Sequence, residues 1–196
     1  MSPLTDIDQR LLLHLARAEI EATLLSCPES PLTHVPASLV QPCGAFVTLR
    51  RSGQLRGCVG RVRTFLPLHK TVRDCAVAAA LSDPRFPPIR ASELSSFLLE
   101  ISVLSQPVEA KPEEVEPGRH GLLISQGSKR GLLLPQVATE WNWDRTRFLE
   151  EACIKAGLSS NAWLRGARIE IFTAQVFSES EIGDKISEPR RFKLPA

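Results

Sequence analysis

The chain has 196 residues, 43% of them hydrophobic and 23% charged, and a formal net charge of +2. That length suits one large domain, or one domain with a small lobe attached, able to bury a core without metal or disulfide staples. The near-balanced charge excludes nucleic-acid binding driven by charge alone, because phosphate recognition needs Lys and Arg gathered on one surface.

In chain order, Thr5-Asp6 opens a helix that runs to about Leu25. Ile7, Leu11, Leu15, Ala18 and Ala22 recur at helical spacing, Leu12 widens the stripe, and Thr5 or Asp6 caps the free N–H groups. Pro28, Pro31, Pro36 and Pro42 then mark a long loop without regular structure. Ala45 to Leu49 reads as a strand, Arg50 to Gly53 as a turn, and Gln54 to Val59 as a returning strand. Gly57 and Gly60 flank Cys58 and Val59, and glycine inside a strand marks a bulge or a close backbone approach.

Leu68 to Leu81 reads as a second helix, with Leu68, Val72, Cys75, Ala76, Ala79 and Ala80 on one apolar stripe. So many alanines imply close packing. Asp83-Pro84 ends it, since the residue before proline disfavours the helical region. Ala91 to Leu94 looks like one helical turn, and Phe97 to Leu104 alternates as a strand with one apolar face. Pro107 to Pro117 is a charged loop. Gly121 to Ser125 and Gly131 to Leu134 form a hairpin. Asp144 caps a helix from Arg145 to Ala156, and Gly157 stops it. Ala167 to Phe177 reads as one long last strand, and a polar tail follows from Ser178. Helices and hairpins interspersed without β-α-β units favour an α+β fold with mostly antiparallel strands and packed helices.

Five cysteines, an odd number with no Cys-x-x-Cys spacing, argue against a disulfide framework and against a zinc knuckle. Met1 to Arg10 carries charges and no long apolar run, so it is not a signal peptide. No stretch nears the roughly 18 apolar residues of a membrane span. A reducing cytoplasm, with free thiols, is the expected location. The basic pairs Arg50-Arg51, Lys129-Arg130 and Arg190-Arg191 are scattered, and Trp141, Trp143 and Trp163 are not interleaved with a basic groove. A nucleic-acid partner is therefore not expected.

Leu55-Arg56-Gly57-Cys58-Val59-Gly60 resembles the Leu-Arg-Gly-Cys-Ile-Gly signature of the AMMECR family. Further blocks that resemble the family follow in its order: Asp83 to Pro88, Glu93-Leu94, Glu100 to Ser105, Gly118 to Leu122, Gly131 to Val137, Phe148-Leu149, and Cys153 to Leu158. The likeness covers about residues 12–177 of a single domain spanning 1–196, with 178–196 as a tail. It implies an α+β fold with a larger and a smaller lobe and a cleft between them. It also implies kinship with microbial proteins of the AmmeMemoRadiSam system, encoded beside Memo-like and radical SAM proteins, which become candidate partners. It supplies no reaction.

Cys58 is the sharpest candidate. A thiolate is a good nucleophile, and a nearby cation favours it. In a regular strand Arg56 would lie on the same face, about 7 Å along the chain. Arg56 would then activate the thiol and bind an anion, with Gly57 letting a substrate approach the backbone. The competing reading is a packed, inert cysteine. His120 is the expected base or orienter, against the alternative of a loop histidine bonded to backbone. Asp83 and Arg85 form either an anion site or an internal salt bridge, which is favoured. Gln136 and Glu140 would share a helical face and line the cleft, or else stay solvated. The leading expectation is an enzyme, or an enzyme component, that binds a small anionic molecule without a resident metal or cofactor. The alternative is a protein-interaction scaffold.

Overall fold

The computed structural model describes residues 3–27 and 34–182. Its elements run α1 (Asp6–Leu25), β1 (Ala45–Arg51), β2 (Gln54–Arg61), α2 (Leu68–Leu81), β3 (Leu98–Leu104), β4 (Val108–Glu109), β5 (Gly121–Gln126), β6 (Lys129–Leu133), α3 (Pro135–Glu140), α4 (Arg145–Lys155), β7 (Arg168–Phe172), β8 (Ala174–Ser178) and α5 (Glu179–Ile182). Short 3-10 turns punctuate them. The fold is α+β, with two antiparallel four-stranded sheets. The described residues divide into a larger unit, residues 3–27, 34–103 and 176–182, and a smaller one, residues 104–175.

In the larger unit the strand order is β2-β1-β3-β8. Thr5 starts α1 through a reciprocal cap: its hydroxyl accepts from the Asp8 N–H at 3.2 Å, and the Asp8 carboxylate accepts from the Thr5 N–H at 3.1 Å. Burial alone would raise the Asp8 carboxyl. Hydrogen bonds from Ser38 and Thr5 outweigh it and hold the group below the usual range. The buried face of α1 is Asp8, Leu12, Leu13, Leu15, Ala16 and Ile20. The stripe expected through Ile7 is rotated, for Ile7 is 75% exposed. The capping box needs Asp8 turned inward, and that orients the helix.

The proline-rich segment is not wholly irregular. Ala37–Leu39 forms a 3-10 turn, and Pro42 bridges Pro67. Pro28 and Pro31 lie outside the described residues. Arg50 and Arg51 belong to β1, so the turn is only Ser52-Gly53, both at positive φ (50° and 77°). This is the two-residue geometry whose twist matches a hairpin. Helix α2 matches its expected bounds and packs on β1 and β2. Val47, Leu49, Leu99, Ile101, Leu12 and Val72 are fully buried in the core there. Each contributes roughly 1.5–3 kcal/mol by burial.

In the smaller unit the order is β4-β7-β5-β6, with α4 against β5 and β6. Asp144 accepts from the Arg147 N–H at 2.8 Å, and Gly157 at φ +71° ends the helix. Phe148, Leu149, Ala152 and Cys153 are buried, so Cys153 is a core residue. A short strand, β4, occupies part of the charged loop.

The single strand expected from Ala167 to Phe177 is two strands in different sheets. At Thr173 the ladder breaks: its N–H donates to the Ser105 hydroxyl, and its carbonyl accepts the Ser105 N–H, each at 2.9 Å. Beyond it β8 enters the other sheet. Alternation has period two in either sheet, so it does not reveal which sheet a strand joins. No helix of the described residues is long and apolar enough to cross a membrane.

Candidate functional site

Strand β2 lies at the edge of the sheet of the larger unit, so alternate backbone groups along it have no strand partner. At Cys58 they are satisfied by side chains. The Cys58 N–H donates to Asp83 Oδ2 at 2.8 Å, and Arg85 Nη2 donates to the Cys58 carbonyl at 3.0 Å. Asp83 and Arg85 are themselves paired. Arg85 Nε and Nη2 reach the carboxylate at 2.9 and 2.7 Å, and the Arg85 N–H adds a third bond at 3.1 Å. The chain turns at Pro84, which lets both ends of this short segment face β2. The hydrogen bonds from Arg85, with help from the Cys58 N–H and against burial, hold the Asp83 carboxyl far below the usual carboxylate range. The same bond to Asp83 raises Arg85 further. The expected internal salt bridge is present, and it also fixes the cysteine peptide. Asp83 is buried, while the Arg85 side chain is 54% exposed.

Because both Cys58 backbone groups point away from β1, its cross-strand pair with Thr48 is of the close, non-hydrogen-bonded kind. The Thr48 hydroxyl donates to Cys58 Sγ at 3.3 Å. Cys27 donates to the Leu25 carbonyl at 3.6 Å and Cys75 to the Ala45 carbonyl at 3.9 Å. Cys58 is half-buried, Cys27 exposed, and Cys43, Cys75 and Cys153 buried, all as free thiols. Burial pushes the Cys75 thiol up to about 11 and raises Cys153 as well.

Arg56 departs from its expected place. Pairing runs from Leu49–Gly57 to Arg50–Leu55, which leaves Arg56 as the extra residue of a β-bulge. Its guanidinium binds Glu93 through Nε and Nη2, both at 3.3 Å, and the Pro87 carbonyl through Nη1 at 2.9 Å. It is thus a scaffold cation, and Arg85 is the guanidinium held to Cys58. Glu93 also accepts from Arg51 and from the Arg90 N–H. The Arg90 N–H first, then Arg56 and Arg51, hold its carboxyl below the usual range against burial. Three guanidinium groups (51, 56 and 85) meet two acids here, an excess of one positive charge.

The glycines are not openings for a ligand. A Cβ on Gly57 would strike the Ala79 carbonyl of α2, and one on Gly60 the Phe46 ring. Gly57 therefore serves helix–strand packing and not the substrate approach expected of it. Thr48 and Glu93 are the contributors missed by the sequence reading of the site.

His120, Gln136 and Glu140 belong to the smaller unit. His120 is buried, and its Nδ1 accepts the Glu116 N–H at 3.2 Å. A neutral ring so bonded carries its proton on Nε2. It can donate a hydrogen bond but has no free nitrogen to take a thiol proton, which argues against the role of base. Gln136 and Glu140 do share the short helix α3. Gln136 Oε1 is buried without a partner among the described residues, and Glu140 is exposed. Among the described residues no group of three or more His, Cys, Asp or Glu side chains could hold a metal ion.

This edge-strand cysteine, clamped by an Asp-Pro-Arg turn within an α+β fold, is the local setting of the matched blocks. The AMMECR1 family profile matches residues 13–177, and the chain belongs to that family. Protein Mbar_A1807 of Methanosarcina barkeri is 43% identical over 188 residues, 91% of this chain and 93% of that protein. Protein PF1979 of Pyrococcus furiosus is 42% identical over 181 residues, 86% of each. The crystal structure of the uncharacterized protein PH0010 from Pyrococcus horikoshii superposes with a TM-score of 0.80 at 38% identity, covering 86% of this chain and 89% of that one.

Proposed function

We propose that the Cys58 corner is a thiol-centred site for a small anionic molecule, with Cys58 as nucleophile and Arg85 as the cation that draws the anion in. The observation that carries this reading is the Thr48 hydroxyl aimed at the Cys58 sulfur. That contact holds the sulfur in place, and the sulfur is the atom that attacks electrophiles. Asp83 and Arg85 keep the cysteine peptide fixed, so sulfur and donor stay aligned. The exposed half of the Arg85 guanidinium and the local excess of positive charge supply the attraction. The five free thiols suit a reducing cytoplasm, and Memo-like and radical SAM proteins are proposed partners by family resemblance.

The test compares two alkylating reagents of similar size, anionic iodoacetate and neutral iodoacetamide. Cys27, which is exposed, serves as the internal reference. The iodoacetate-to-iodoacetamide rate ratio at Cys58 should exceed that at Cys27. It should fall in Arg85→Gln and at high salt, and Thr48→Val should slow both reagents several-fold. Equal ratios at the two cysteines, with no effect of Thr48→Val, would defeat the reading. The glycines packed at Ala79 and Phe46 would then favour a scaffold in which the motif holds α2 on the sheet.

A further inference from the structure

A second feature of the larger unit lies beside the Cys58 clamp, one strand further into the sheet, on β1 and β3 and on the Ser52-Gly53, Ser95–Phe97 and Ser178–Ser180 segments. A cavity of about 360 Å³ is lined by Arg50 and Glu100, the apolar Leu98, and the serines Ser52, Ser95 and Ser178, among others. That volume lies within the roughly 300–1,000 Å³ usual for small-molecule sites.

Its charged pair is incompletely made. Arg50 and Glu100 are joined by one contact, Nε to Oε2, at 3.4 Å. Other pairs in the same unit run from 2.5 Å (Arg17–Glu179) to 3.4 Å (Arg51–Glu93), so what matters here is the single contact. Both guanidinium Nη groups of Arg50 and the Oε1 of Glu100 have no partner among the described residues. The two side chains are 41% and 22% exposed, so water and solutes reach them. Arg50 lies opposite Leu98, and Glu100 opposite Thr48, so the two charges sit diagonally across neighbouring strands. They offer a planar two-pronged donor beside an acceptor, with serines and one apolar side chain around them.

We propose that this groove binds a free α-amino acid as its zwitterion. The carboxylate would take the two free Nη groups of Arg50, the fork geometry that guanidinium offers carboxylates. The ammonium would take Glu100 Oε1, and the amino-acid side chain would lie along Leu98 and the serines. A simple anion would leave Glu100 facing it with like charge, and a simple cation would meet Arg50. A ligand carrying both charges a few ångströms apart matches both groups. The inference stands whether or not Cys58 reacts.

The full chain is titrated calorimetrically with a panel of free proteinogenic L-amino acids, each beside its N-acetyl and carboxamide derivatives. At least one amino acid should bind saturably, and its two derivatives at least ~10-fold more weakly, as expected for losing a hydrogen bond to a charged group. Arg50→Gln and Glu100→Gln should each weaken binding by a similar factor while circular dichroism stays unchanged. Leu98→Trp, which fills the groove and removes no polar contact, should abolish it. The proposal is overturned if no amino acid in the panel binds, if the derivatives bind as well as the parent, or if binding survives all three substitutions.

Discussion

Replacing Asp83 by Asn tests the clamp on the edge strand. The carboxylate receives four hydrogen bonds, from the Cys58 N–H and from three Arg85 nitrogens, at 2.7 to 3.1 Å. An amide of the same shape has one acceptor oxygen, and its NH2 must face either the Cys58 N–H or the guanidinium, donor against donor. A buried N–H left without an acceptor costs about 1–3 kcal/mol. The ion-pair share is smaller, because the Arg85 side chain is 54% exposed and its charge can return to water. The expected loss is about 2–3 kcal/mol, read as a lower urea midpoint at pH 7 with unchanged slope. Arg85→Gln, which leaves the carboxylate to hold the Cys58 N–H, should lose only about 1 kcal/mol. The sign with pH follows from the depressed Asp83 carboxyl. Its contribution is complete above the ordinary carboxylate value of about 3.9 and is lost as pH falls through the lower folded value. The wild type should therefore destabilise more steeply below about pH 4 than Asp83→Asn does. An Asn variant within ~0.5 kcal/mol of wild type would refute this account.

Gly57→Ala should destabilise by about 1–3 kcal/mol, since its methyl must displace the Ala79 backbone and not a flexible side chain; Gly53→Ala, with open space around it, should lose less and only through its positive φ. In the folded protein a small aromatic disulfide reagent should titrate Cys27 and Cys58. Cys43, Cys75 and Cys153 should react only on unfolding, with Cys75 doubly protected by burial and by a thiol pushed up to about 11. A third fast-reacting thiol would contradict the packing described.

Much of the fold was legible because local chemistry and tertiary packing agree. The Thr5 cap, the α2 bounds at Leu68 and Leu81, and the Asp144 and Gly157 signals each act within a few residues, and the structure obeys them. The Asp83–Arg85 pair was legible for the same reason. The apolar stripe of α1 was not. Its rotation depends on Asp8 turning in toward Thr5 and Ser38, and Ser38 is thirty positions away.

What the sequence alone determined is the family, the α+β class and the choice of Cys58 as the centre of interest. What the tertiary structure decided is which groups face that sulfur. Counting back from the Ser52-Gly53 turn in a regular hairpin puts Gly57 opposite Thr48. The bulge at Arg56 shifts the register by one, so that Cys58 stands there instead. One extra residue thereby sends Arg56 to Glu93, brings the Thr48 hydroxyl to the thiol, and leaves Gly57 against Ala79. A bulge of this kind is set by how α2 and the 83–93 segment pack on the strand, and those contacts are remote in sequence.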